Sequence, residues 1–126
     1  MQYAILCYHD ENHVWSWSKD DEAAVMGRLA EVRAGLTARG KLGASLRLLP
    51  TTAATTLRKN LDPPLVIDGP FAETKEQLLG LYLIDADDLD EALGIARELA
   101  KANPGGAYEI RPIALFNADA RVDVNA

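Results

Sequence analysis

The sequence predicts one α+β domain, in which an antiparallel sheet carries two helices on one of its faces. Short apolar runs rich in β-forming residues indicate strands, and two longer stretches with apolar residues at helical spacing indicate helices. These segments follow one another in the order β-α-β-β-α-β, with an extra hairpin in the middle, which is the ferredoxin-like order. A chain of 126 residues has the right length for a single domain of this kind.

The amino-terminal part of the chain opens with a strand and a long helix. Residues 2–8 form a short apolar run, and the polar segment after it is typical of a loop. A helix is predicted over about 20–39, capped by Ser18 and ended by Gly40. Apolar residues at spacings of four, three and four give this helix one buried stripe. The stripe consists of Val25, Leu29, Val32 and Leu36.

Four further strands are predicted in the middle of the chain. Three of them are short and cover 45–49, 55–59 and 65–67, whereas the fourth, at 79–84, is the most apolar. The 55–59 strand is more polar than its neighbours, which favours a place near an edge of the sheet. These segments supply one strand pair more than the ferredoxin-like order needs.

A second helix and a last strand complete the domain. Asp87 is the expected cap of this helix, and Asn103-Pro104-Gly105-Gly106 ends it. The last strand is predicted over 108–115. We therefore expect a single domain at 1–116 and a loose tail at 117–126, where apolar residues are few.

Two of the predicted strands are apolar on both faces, and this pattern predicts a partner. A strand that is covered on one side only would alternate apolar with polar residues, which neither 2–8 nor 79–84 does. Both helices are expected on one face of the sheet, and the sequence offers no third helix for the other face. A second copy packed sheet against sheet about a two-fold axis is the simplest cover, so we expect a homodimer.

Charge and motif content exclude several classes of function. The formal net charge is −6 and the basic residues are scattered, which argues against nucleic acid or an anionic membrane as the main partner. The two histidines and the single cysteine, Cys7, lack metal-ligand spacing, and no cofactor fingerprint is present, so no metal or cofactor is expected. Cys7 lies in an apolar run and is expected to be a buried structural thiol. The amino terminus lacks the features of a signal peptide, so the expected location is cytoplasmic.

A run of ten residues in the second half of the chain carries a family resemblance. It reads Asp68-Gly69-Pro70-Phe71-Ala72-Glu73-Thr74-Lys75-Glu76-Gln77 and is followed by Gly80-Leu81-Tyr82-Leu83-Ile84. This run resembles the DGPF signature of the YCII-related family, and the resemblance extends over most of the chain. It implies a dimeric α+β barrel, a fold shared with small monooxygenases, muconolactone isomerase-like enzymes and chlorite dismutase-like proteins. Most members of the DGPF branch have no assigned reaction, and some are encoded beside extracytoplasmic-function sigma factors.

The chain departs from this family at one point that concerns catalysis. The better understood branch of the family carries a histidine on its first helix and an Asp-Pro pair after its second, which together form a proposed catalytic dyad. Alignment on Gly40-Lys41-Leu42 places an alanine, near Ala30, at the histidine position, and the Asp-Pro position reads Asn103-Pro104. Because neither dyad member is present, the resemblance does not imply that chemistry here.

The signature loop has a structural and a functional interpretation. In the structural one, Asp68 bonds to backbone amides two residues on, Pro70 fixes the backbone, and Phe71 packs into the core. Asp68→Ala would then lower the free energy of unfolding by about 1–2 kcal/mol. In the functional one, the loop directs Asp68, Glu73 and Lys75 into a cavity between the sheet and the helices, since strand-end loops often bind ligands.

The candidate catalytic residues are His9 and Asp68. His9 follows the first strand and would act as a base, with Asp68 as its orienting group or as the acid, and Lys75 as an anion stabiliser. Trp15 and Trp17 share parity and either line the mouth of a pocket or pack against the protein. The candidate ligand-binding residues are Phe71, Glu73, Lys75, Tyr82 and Arg111.

Three functions remain open on the sequence. The first is a small-molecule-binding or regulatory protein that uses the barrel cavity. The second is a cofactor-free enzyme that acts by acid-base chemistry on a small metabolite, of which an aromatic compound is one example. The third is a protein-interaction module whose partner is of the sigma-factor type.

Overall fold

The computed structural model describes residues 1–117, and the tail prediction for 118–126 lies outside this range. Its strands are β1 (Gln2–His9), β2 (Leu42–Arg47), β3 (Thr55–Arg58), β4 (Leu65–Asp68), β5 (Gln77–Asp85) and β6 (Ala107–Pro112). Its helices are α1 (Glu11–Trp15), α2 (Lys19–Ala38) and α3 (Leu89–Ala102), with a single 3₁₀ turn at Thr51–Ala53. None of the described helices is long and apolar enough to cross a membrane.

The main sheet has four strands in the order β2-β5-β1-β6, and every neighbouring pair is antiparallel. This is the strand order of a ferredoxin-like sheet, so the predicted fold class is confirmed. The extra hairpin is β3-β4, which forms a two-stranded sheet of its own. The polar 55–59 segment therefore lies outside the main sheet rather than at its edge.

Both long helices cover the same face of the sheet. The largest fully buried side chains are Ile5 of β1, Ile84 of β5, Leu36 of α2 and Leu99 of α3. Tyr3 lies across the ladder from Ile84, and both belong to this core. Alternation along a strand therefore sends the odd-numbered residues of β1 towards the helices.

The helix caps follow the sequence with two local differences. Ser18 caps α2 as predicted, since its hydroxyl accepts from the Asp21 amide at 3.0 Å. The cap of α3 is Asp88 rather than Asp87, because the Asp88 carboxylate accepts from the Glu91 amide at 2.9 Å. The segment expected to be a loop contains α1, whose first turn is capped by the Asp10 carboxylate.

The opposite face of the main sheet carries apolar side chains that lie outside the core. Leu6 pairs with Leu81 in the ladder, and Leu81 also pairs with Leu46, which is 50% exposed. Ala4 and Leu83 form the next pair along the same face. We call this surface, formed by Ala4, Leu6, Leu46, Leu81 and Leu83, the open face. The sheet of the folded chain therefore carries apolar side chains on the face opposite the helices, as the strand pattern predicted.

The hairpin arm, defined as β3, β4 and the chain as far as Phe71, contradicts the structural interpretation of the signature loop in two respects. Phe71 is 71% exposed rather than buried, and the Arg58 guanidinium lies 4.8 Å from its ring centre. Asp68 is exposed, and its carboxylate accepts no hydrogen bond from residues 1–117. The turn is held by the backbone of Gly69 rather than by the Asp68 side chain: the Gly69 amide donates to the Ala54 carbonyl, and the Gly69 carbonyl accepts from the Thr56 hydroxyl, both at 2.8 Å.

A glycine on β5 allows β2 to approach closely. A Cβ atom placed on Gly80 would lie 2.2 Å from the carbonyl oxygen of Leu46. No side chain tolerates that distance, so glycine is required where these two strands pair.

Gly80→Ala is expected to lower the free energy of unfolding by about 1–3 kcal/mol, because the added methyl group forces β2 away from β5. Gly27→Ala is the matched control, since a Cβ there meets nothing within 4 Å. This control is expected to raise the free energy of unfolding by about 0.5–1 kcal/mol, because alanine is the better residue inside a helix. Urea unfolding at equal protein concentration compares the two variants. An unchanged or raised midpoint for Gly80→Ala would contradict the close approach.

Candidate functional site

A cavity of about 300 Å³ lies between the helix-covered face of the sheet and α2. Its floor is a patch of the central strands, its roof is α2, and one end is closed by α1 and by the turn after α3. The floor residues are Cys7, Ser45, Gly80, Tyr82 and Tyr108. We call this space the helix-side cavity.

The register of the sheet explains why space is left at this point. Cys7 pairs with Gly80 on one side and with Tyr108 on the other. Ser45 pairs with Tyr82 one step further along. A glycine, a cysteine and a serine therefore share the floor with two tyrosines, and small residues between large ones leave a depression that the helices do not fill.

The two floor tyrosines are neutral hydrogen-bonding groups. Burial raises the pKa of Tyr82, and the nearby positive charge of Arg33 offsets part of this rise. Burial also raises the pKa of Tyr108, against a smaller opposite effect of the Asn103 side chain. Both hydroxyls therefore stay protonated at neutral pH and can donate a hydrogen bond into the cavity.

Cys7 is a half-buried thiol, less enclosed than the sequence predicts. Burial raises its pKa to about 12, and its sulfur lies 3.8 Å from the carbonyl oxygen of Ile5. A thiol with this pKa is almost entirely protonated near neutral pH, and the thiolate is the nucleophilic form. Cys7 therefore serves as a small wall residue of the cavity rather than as a nucleophile.

His9 is part of the cavity wall, and a hydrogen bond to one of its ring nitrogens fixes its tautomer. Its Nδ1 accepts a hydrogen bond from the Asp10 amide at 2.7 Å, so the neutral ring carries its proton on Nε2. The ring stacks on His13 with the centres 5.2 Å apart, and a Cβ on Gly105 would lie 2.8 Å from Nε2. In this arrangement His9 is a hydrogen-bond donor, whereas the predicted role of base would need a free nitrogen lone pair.

The candidate residues from the sequence do not gather at one place. His9 and Tyr82 line the cavity, whereas Asp68 and Phe71 lie on the hairpin arm and are exposed. Glu73 and Lys75 follow the arm and are also exposed.

Arg111 lies on β6 with the parity of the open face. It pairs with Ala4 in the ladder, and its guanidinium bonds to Glu109 at 3.0 Å. It is therefore directed away from the cavity.

Three polar residues of the cavity, Arg33, Ser45 and Arg47, were not predicted from the sequence, and Tyr108 was given no role. Arg33 follows Leu29 by four positions on α2, which places both on the same helix side and could have identified it. Trp17 lines the cavity, whereas Trp15 is exposed and stacks with the Arg47 guanidinium at 4.6 Å.

Residues 1–117 match the family model of the YCII-related domain. The chain belongs to the YCII-related family. It is also 56% identical over 117 residues to an uncharacterised protein from Rhizobium meliloti (strain 1021), an alignment that covers 92% of this chain and 94% of the relative. The resemblance drawn from the signature run is thereby confirmed.

The signature run of this YCII-related chain takes part in a hydrogen-bond network that holds one end wall of the cavity in place. Gln77, its last residue, accepts a hydrogen bond from the Glu11 amide at 2.9 Å through Oε1. The Glu11 carboxylate in turn accepts from the Thr51 amide at 2.9 Å and from the Thr51 hydroxyl. This network fixes α1, which supplies Val14 to the end wall of the cavity.

The two positions at which the chain departs from the better understood branch lie in different surroundings. Ala30 is exposed on α2, whereas Asn103 lines the cavity. Within residues 1–117, the His, Cys, Asp and Glu side chains form no group of three that could hold a metal ion.

Cys7 is expected to react slowly with a thiol reagent in the folded protein. A rise of the pKa from 9.0 to about 12 makes its thiolate fraction at pH 8 about a thousandfold smaller than that of an ordinary thiol. Iodoacetamide labelling, followed by mass spectrometry in buffer and in concentrated urea, measures the difference. Equal labelling rates in the two solutions would contradict this prediction, because they would show that Cys7 is accessible and reactive in the folded protein.

Proposed function

We propose that this YCII-related protein binds a small molecule in the helix-side cavity, and that it works as a homodimer. The observation that supports the binding site most strongly is the cavity itself. It has about 300 Å³ of space, which is the lower end of the range for ligand pockets, and polar groups converge on it from apolar walls.

The open face supports the homodimer. Its leucines lie outside the core, and the helices occupy the opposite side of the sheet. A large apolar sheet face is costly to leave in water, whereas a second copy presents the same surface about a two-fold axis. Two sheets packed in this way would give the α+β barrel that the family resemblance implies.

An acid-base enzyme is the second candidate, because His9 and the two floor tyrosines line one cavity. The geometry supports His9 Nε2 as a proton donor in such a reaction. It gives no support to a His9–Asp68 pair, since Asp68 lies on the hairpin arm. The third candidate, a protein-interaction module, has its support in the exposed apolar side chains of that arm. These are Leu57, Leu61, Leu65, Val66, Ile67 and Phe71.

The two tryptophans allow a direct test of binding in the cavity. Trp15→Phe leaves Trp17, a cavity residue, as the only tryptophan of the chain. Small aromatic and aliphatic compounds are expected to change its fluorescence saturably, because they displace water beside the indole. The measurement is a fluorescence titration of this variant.

Trp17→Phe is the control variant, since its remaining indole, Trp15, is exposed and is not a lining residue of the cavity. We expect this variant to show no saturable response. Ser45→Phe adds a ring to the cavity floor and is expected to abolish the Trp17 response while the circular dichroism spectrum is kept. A flat titration of the Trp17 reporter with every compound at millimolar concentration would contradict the proposed function.

A further inference from the structure

The helix-side cavity has an unusual charge for this chain. The protein carries 19 acidic and 13 basic residues, yet no Asp or Glu of residues 1–117 lines the cavity, whereas Arg33 and Arg47 do. The wall of the cavity is therefore positive on an acidic protein. A ligand of the opposite sign would gain from this local field.

The two arginines are not equivalent. Arg47 donates to the Glu22 carboxylate at 3.2 Å and lies over the Trp15 ring, so its charge is already compensated. Arg33 has no ion-pair partner among residues 1–117. Arg33 and Tyr82 both line the cavity, and the positive charge of Arg33 offsets part of the rise in the pKa of Tyr82. One uncompensated positive charge thus faces the cavity.

The neutral polar groups nearby favour an acceptor ligand. The hydroxyls of Tyr82 and Tyr108 are protonated, and the His9 ring carries its proton on Nε2. All three can donate hydrogen bonds to a ligand oxygen, and donors that act on an ionised acceptor form the stronger bonds. The remaining wall is apolar and includes Met26, Leu29 and Trp17.

We propose that the ligand of the helix-side cavity is a small monoanionic carboxylate with an apolar or aromatic body, held by Arg33 through its carboxylate. This proposal rests on the proposed function, since it names the chemical class of the molecule that the cavity binds. A single free guanidinium matches a single negative charge, and its planar fork fits the two oxygens of a carboxylate. The apolar body lies against Met26, Leu29 and Trp17.

The test compares pairs of compounds that differ in charge and hardly in shape: benzoate with benzamide, and phenylacetate with phenylacetamide. Binding is measured by amide chemical-shift changes in the ¹⁵N-labelled full chain, in a buffer that contains no other carboxylate or phosphate. We expect each carboxylate to bind at least about tenfold more tightly than its amide. The perturbed amides should belong to the strands of the cavity floor.

Three variants identify the positive charge that causes the preference for the carboxylate over the amide. Arg33→Gln is expected to remove the preference for the carboxylate, and Arg33→Lys to keep part of it, because the charge remains while the fork is lost. Arg97→Gln is the matched control, since Arg97 is exposed on α3 and is not a lining residue. This control is expected to keep the full preference.

Each contrary result overturns a different statement. Equal affinity for carboxylate and amide would refute the proposed ligand class and leave binding in the cavity intact. A preference that survives Arg33→Gln would refute the role of Arg33. The absence of binding by all four compounds, with unchanged spectra, would refute the ligand class, and the Trp17 titration would then decide separately whether the cavity binds a small molecule.

Discussion

The antiparallel pairing of β1 with β5 and β6 is the interaction on which the rest of the structure depends. It sets Tyr3 opposite Ile84 and so builds the core under the two helices. The same ladder sets Cys7 between Gly80 and Tyr108, which makes the floor of the cavity. A slip of one residue would exchange the two faces of β1 and remove the core and the cavity together.

The side chains that alternate with the core-facing ones on the same strands form the open face. Leu6 and Leu81 are on it because their neighbours in sequence point towards the helices. The cavity and the proposed dimer surface are therefore two consequences of one register. A substitution that changes the register would alter both, whereas one in the roof of the cavity would alter the proposed ligand binding alone.

Local patterns in the sequence were sufficient to predict the main sheet and its two long helices. Apolar spacing identified α2 and α3, and the double parity of β1 identified the open face. The exact caps were harder, since Asp87 and Asp88 are adjacent residues of the same type, and only the hydrogen bond to Glu91 distinguishes them. The short helix α1 was missed because its five residues give too little periodicity to recognise.

The cavity was predicted only in part, for a physical reason. His9 and Tyr82 follow from strand parity, but the neighbours of Tyr82 depend on pairing between strands that are far apart in sequence. Ser45 meets Tyr82 only because β2 pairs with β5. Asp68 and Phe71 were expected at the cavity or in the core because the signature run is adjacent to β5, yet the arm holds them outside. Local composition does not show where a hairpin leaves the sheet.

Native mass spectrometry of gently purified protein tests most directly whether one face of the sheet carries a ligand and the other a second copy. We expect an ion of two chains, each of 13.7 kDa, with extra mass of roughly a few hundred daltons per chain that is lost on collisional activation. An empty single chain under the same conditions would contradict both the covered open face and the occupied cavity.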